Sequence, residues 1–194
     1  DPASGLSYHV YTLDPADDPA VVQYADGWTA RTGGALAITE FGATADVATI
    51  NRQVDLFDQS LTPGMWWAYN QNFASVGQPP AAATTNGAVI DALVRPHPTA
   101  IAGTPKQLSY DSTDRVLRFG YDNARVGGGS FAAGTTTEIA VATRSYPEGY
   151  QAKVTGGTIK SEPCARVLTV VSNGRSDRNV FVKVWPIGQP VPPD

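Results

Sequence analysis

A chain of 194 residues with 42% hydrophobic content has material for one fair-sized domain or two small ones. Its net charge of -4 is spread along the sequence, leaving no basic stripe for nucleic acid, and no apolar run reaches the ~20 residues of a membrane span. The single cysteine, Cys164, excludes an internal disulfide; with only two histidines, His9 and His97, neither a metal centre nor a cofactor is expected.

The chain opens on Asp1 without a Met or a signal peptide, as expected of a processed chain or a portion of a longer one. Residues 6–13 alternate and are rich in β-formers, which predicts a strand ending near Tyr11. Asp18 followed by Pro19 signals an N-cap and a first turn. Val21, Val22, Ala25 and Trp28 then recur at helical spacing until Gly33 and Gly34. From Ala35 a mostly apolar run without a charge stops at Glu40. A buried parallel strand reads this way when it delivers a reactive side chain at its C-terminal end. A carboxylate that merely ends a strand and faces water fits this stretch equally well.

Asp46 is placed to cap a second helix whose Val47, Ile50, Val54 and Phe57 form an apolar stripe. Pro63 precedes a third strand over 64–70. Strand and helix thus alternate as βαβαβ, which implies parallel strands with helices packed outside. Residues 71–86 read as a long loop. Ala88, Val89, Ala92 and Leu93 suggest a short helix closed by Arg95-Pro96, because a residue before proline avoids the helical region.

A domain boundary is expected near residue 95, dividing an α/β portion (1–95) from an all-β portion (96–194). In the latter, strands are expected at 107–111, 115–121, 136–144, 150–155, 166–172 and 179–185, separated by turn signals such as Asp111-Ser-Thr-Asp114 and Ser172-Asn-Gly174. The pattern predicts an antiparallel β-sandwich. Leu168, Val170, Phe181, Val184 and Trp185 would supply its core and sheet faces, with the tail from Gly188 to Asp194 extended and loosely held.

Consecutive parallel βα units open the C-terminal ends of their strands onto one face, where barrel enzymes place catalytic groups. His9, Tyr11, Glu40, Trp67 and Asn70 land there. Each has a plainer reading by itself: a structural histidine, Tyr11 and Tyr69 as wall residues, Trp66 and Trp67 as core. Together they describe a sugar site. An aromatic face stacks on a pyranose ring, a phenol holds a carboxylate ionised, and a carboxylate attacks an anomeric carbon.

The order Tyr8-His-Val-Tyr11, Ile38-Thr-Glu-Phe-Gly-Ala43 and Met65-Trp-Trp-Ala-Tyr-Asn70 resembles the last three strands of a glycoside hydrolase family 5 (β/α)8 TIM barrel, closest in wording to the endoglycoceramidases. The stretch from Leu93 to Pro105 resembles the segment entering their C-terminal β-sandwich. The resemblance implies Glu40 as nucleophile, Tyr11 as the phenol bonded to it, His9 as a nearby site residue and Trp67 as the sugar floor, with Trp66, Tyr69 and Asn70 also in the substrate site. It implies a retaining enzyme acting on a glycolipid or other β-glycoside, secreted or held in the cell envelope, with peripheral contact to lipid surfaces.

The family places its acid/base glutamate in an Asn-Glu pair on the fourth barrel strand, and no Asn-Glu pair stands here. Asp14, Asp17, Asp18, Asp46, Asp55 and Asp58 read as structural or solvated. Three parallel strands do not close a barrel of eight, so an N-terminal portion of the same enzyme is the expected partner, and this chain is expected to be inactive alone. The rival reading is non-catalytic: a fragment whose sandwich binds carbohydrate or lipid surfaces, or only supports the barrel.

Overall fold

The computed structural model of the chain describes residues 4–11, 14–68, 85–174 and 179–193. The chain falls into two compact units, Asp1–Leu93 and Val94–Asp194. The first contains three parallel strands in chain order, β1 (Gly5–Val10), β2 (Ala35–Gly42) and β3 (Gly64–Trp67). Helix α1 (Asp17–Thr32) joins β1 to β2, and α2 (Val47–Ser60) joins β2 to β3; α3 (Gly87–Leu93) comes later. This is the expected βαβαβ order. The predicted loop over 71–86 lies almost wholly outside the described residues.

Helix α2 begins as local chemistry dictates. Asp46 is extended, and its Oδ2 accepts a hydrogen bond from the Thr49 N–H at 3.0 Å, satisfying a donor that has no partner within the helix. Hydrogen bonds from the Thr49 hydroxyl and N–H hold the Asp46 carboxyl below its ordinary range. Helix α1 begins differently. Its N-cap is Ala16, which makes no side-chain cap, and Asp18 lies inside the first turn, fully buried. Asp18 is therefore not the expected cap. Its Oδ2 accepts from Arg52 Nε of α2 at 3.0 Å, so the carboxylate ties the two helices together.

Val10, Val22, Ile38, Phe41 and Phe57 form the core between this sheet and its helices. Burying each such side chain contributes ~2 kcal/mol. The Phe41 ring meets Phe57 edge-on at 5.0 Å and Trp66 at 5.5 Å. Trp66 also lies over Gly42, where φ is +91° and an added Cβ would sit 2.0 Å from the indole. Only glycine fits there.

The second unit is a pair of four-stranded antiparallel sheets. Its strands are β4 (His97–Ala100), β5 (Thr104–Asp111), β6 (Val116–Asp122), β7 (Thr136–Ala140), β8 (Tyr150–Thr155), β9 (Gly157–Ile159), β10 (Val167–Ser172) and β11 (Val180–Pro186). One sheet runs β4-β7-β10-β9 and the other β5-β6-β11-β8. Leu117, Phe119, Tyr121, Ile139, Leu168, Val170 and Val184 fill the core.

Two expectations, the number of strands and the looseness of the tail, are corrected here. β4 and β9 are additional strands at sheet edges, four and three residues long, too short to show an alternating pattern. Of the residues expected in the core and on the sheet faces, Phe181 takes a face: Val180, Val182 and Val184 alternate inward on β11, which turns Phe181 outward at 42% exposure. The tail is tied down rather than loose. Pro193 O accepts from Arg118 at 2.9 Å, Pro192 O from Lys183 at 2.9 Å and Gln189 O from Trp185 at 3.2 Å.

Candidate functional site

Glu40 reaches its place through a register shift. Tyr8 of β1 pairs with Ile38 of β2, but the next residue, His9, pairs with Glu40, so Thr39 is the extra residue on β2. Such an irregularity re-aims a side chain. Without it, Thr39 would face His9. The shift brings Glu40 to the C-terminal end of β2 beside the corresponding end of β1.

There the Tyr11 hydroxyl donates to Glu40 Oε2 at 2.6 Å, a length typical of a charge-assisted bond. His9 Nδ1 stands 3.4 Å from the same oxygen, and the His9 and Tyr11 rings meet edge-to-face at 6.1 Å. The Glu40 side chain is 27% exposed and that of His9 50%. The carboxylate is thus open to a reactant while held by two neighbours.

Partial desolvation, then the hydrogen bond to Glu40 and its charge, push the Tyr11 phenol up to about 12 from an ordinary 10.0. Because the folded value lies above the unfolded one, the bond's contribution to stability is fully present below pH 10 and is lost as pH rises through about 12. Tyr8, Tyr110, Tyr121, Tyr146 and Tyr150 are also shifted upward, so ultraviolet titration of the chain and of Tyr11→Phe is expected to differ by one tyrosine that ionises later than free tyrosine. Identical curves for the two proteins would contradict this geometry.

Trp67 is the last residue of β3, opposite Gly42 in register and half exposed, and its carbonyl accepts from Ala43 N at 3.0 Å. The peptide bond that follows it is cis. His9, Tyr11 and Glu40 are therefore brought together, with Trp67 at the end of the neighbouring strand. Trp66 is not. Adjacent strand residues face opposite ways, and its indole lies among Phe41 and Gly42 on the helix side, bonded through Nε1 to Ala68 O at 3.1 Å. This corrects its expected role in the sugar site. Tyr69 and Asn70 lie outside the described residues. Among the described residues no group of three or more His, Cys, Asp or Glu side chains could hold a metal ion.

Residues 95–184 match the glycoside hydrolase family 5 C-terminal domain. Endoglycoceramidase I of Rhodococcus hoagii (strain 103S) is 30% identical over 149 residues, covering 77% of this chain. The chain spans 27% of that relative's length. Among solved structures, endo-glycoceramidase II from Rhodococcus sp., as a lactosyl-enzyme intermediate, superposes with a TM-score of 0.68 at 22% identity over 95% of this chain and 42% of its own. Cryptococcus neoformans sterylglucosidase 1 gives 0.70 at 14% identity over 90% of this chain and 32% of its own. The fold is that of the last three strands of a TIM barrel followed by a β-sandwich. With residues 95–184 matching the glycoside hydrolase family 5 C-terminal domain, the chain is similar to the C-terminal part of the endoglycoceramidases.

Proposed function

We propose that this chain supplies the nucleophilic half of a retaining endo-β-glycosidase acting on glycolipids. The observation that carries the reading is the Glu40 carboxylate at a strand end, gripped through Oε2 by Tyr11 at 2.6 Å and faced by His9 at 3.4 Å. With both neighbours on Oε2, Oε1 is the oxygen that attacks the anomeric carbon. The bond from that carbon to the aglycone oxygen breaks, and a second carboxyl ~5 Å away gives its proton to the leaving oxygen. The same group then deprotonates a water that cleaves the glycosyl ester and frees Glu40. Trp67 floors the sugar subsite by stacking.

The second carboxyl belongs to an N-terminal portion of the barrel. The lactosyl-enzyme form of the Rhodococcus sp. neighbour supports a covalent intermediate, and its structure with ganglioside GM3 supports a glycolipid substrate. A secreted or envelope location follows from such a substrate. The test is proton NMR of a glycolipid digest by this chain joined to its N-terminal portion. The β-anomer of the released sugar is expected first, with no enzymatic turnover by residues 1–194 alone. Initial release of the α-anomer would overturn retention; turnover by the isolated chain would overturn the division of the two carboxyls.

A further inference from the structure

We propose that the outer face of β6 and β11 is a docking groove for a partner protein's proline-rich segment in the polyproline II conformation, which the chain's own tail, residues 188–193, occupies until displaced. The tail shows what the groove holds. Gln189, Pro190, Val191, Pro192 and Pro193 are each a proline or stand directly before one. Proline fixes φ near ~-65° and a residue before proline avoids the helical region, so this stretch is held extended before it docks. Its prolines carry no N–H and cannot join the sheet as a further strand. What the segment offers is a row of carbonyls.

The face answers with donors. A turn sends the tail back over β11: Gln189 N–H donates to Pro186 O at 3.4 Å, and Gly188 takes a φ of +79°. Alternation along β11 puts Phe181, Lys183 and Trp185 on the outer face, and Arg118 of β6 is the register partner of Lys183. Trp185 Nε1 donates to Gln189 O at 3.2 Å, Lys183 Nζ to Pro192 O at 2.9 Å and Pro193 O at 3.0 Å, and Arg118 to Pro193 O at 2.9 Å. Trp185 takes no part in the core between the sheets, yet it is 4% exposed where Phe181 on the same face is 42% exposed. The tail bonded to its indole covers it. An aromatic ring whose N–H meets a carbonyl of a proline-rich segment is the recurring way in which such segments are recognised.

The same contacts make the tail exchangeable. Gln189, Pro190, Val191 and Pro193 are exposed, so the tail is held through its carbonyls rather than by burial of its own side chains. A Cβ added at Gly188 would meet nothing within 4 Å, which leaves a hinge there. Any proline-rich segment can present the same carbonyls, because the donors address the backbone. None of these residues belongs to the Glu40 cluster, so the groove stands or falls independently of the catalytic reading.

The test uses the full chain and a free peptide of the tail sequence, Ile187 to Asp194, followed by NMR at the Trp185 indole N–H. Pro190→Gly, Pro192→Gly and Pro193→Gly together loosen the resident tail without touching the sheet, so far-UV circular dichroism should not change. The peptide is expected to bind this variant with a Kd on the order of 1 mM, and the unaltered chain at least about fivefold more weakly, because a tethered tail competes at a millimolar effective concentration. A peptide with glycine at the three proline positions should bind the variant about tenfold more weakly than the proline peptide. Arg118→Met in the loosened variant should lower affinity for the proline peptide about tenfold, through loss of one charged donor. Equal affinity for the two peptides, equal affinity of the two proteins for the proline peptide, or an indole resonance indifferent to the peptide would each overturn the proposal. Concentration-dependent dimers of the unaltered chain that vanish in the glycine variant, read by sedimentation velocity, would give the groove to the tail of a second copy and overturn it likewise.

Discussion

Glu40→Gln, in the chain joined to its N-terminal portion, is expected to lower kcat for glycolipid hydrolysis by at least about 10³-fold while leaving KM within a few-fold. An amide has the carboxylate's shape and can still meet Tyr11, but it cannot form the ester to the anomeric carbon. The loss should therefore fall on chemistry and not on binding. Tyr11→Phe separates holding the carboxylate from being it. Removing one hydrogen bond to a charged group, here 2.6 Å long, should cost about 10- to 100-fold. Steady-state kinetics on both variants checks the pair. Retention of a tenth or more of the activity by Glu40→Gln would remove the nucleophile from this strand end.

Arg52→Ala is expected to destabilise the first unit by about 3–5 kcal/mol, the usual cost of leaving a buried charge without its partner. Asp18 is fully buried, its Oδ2 accepts from Arg52 Nε at 3.0 Å, and its Oδ1 has no hydrogen-bond partner among the described residues. No water reaches the carboxylate to replace the lost guanidinium. Replacing both members with apolar side chains of similar volume, Asp18→Leu with Arg52→Met, should cost less than Arg52→Ala by itself. Urea dependence of hydrogen exchange at α1 and α2 amides measures both. If Arg52→Ala shifts stability by less than about 1 kcal/mol, the pair contributes little beyond an ordinary surface bridge.

These two predictions rest on residues that were unequally legible. The strand end at Glu40 could be read from its own neighbours, because an apolar run that stops at a carboxylate between glycines carries the strand and its end together, although the same stretch fits a solvated carboxylate equally well. Asp46 was legible for the same reason: the N–H it captures belongs to Thr49, three residues on. Asp18 was not. Its neighbour Pro19 fits a first turn wherever the cap falls, and the partner that decides its role lies 34 residues away on another helix.

The sequence by itself determined the order of strands and helices, the contrast between a βα half and an all-β half, and the residue types gathered at the strand ends. All of these follow from periodicity and turn chemistry within a few positions. Only the tertiary structure decided that Glu40 and not Thr39 stands opposite His9, that Trp66 turns to the helices while Trp67 stays open, and that Phe181 shares an outer face with three cations. Each of those outcomes depends on register. A one-residue slip between paired strands reverses every side chain, and no local pattern records which strand lies alongside.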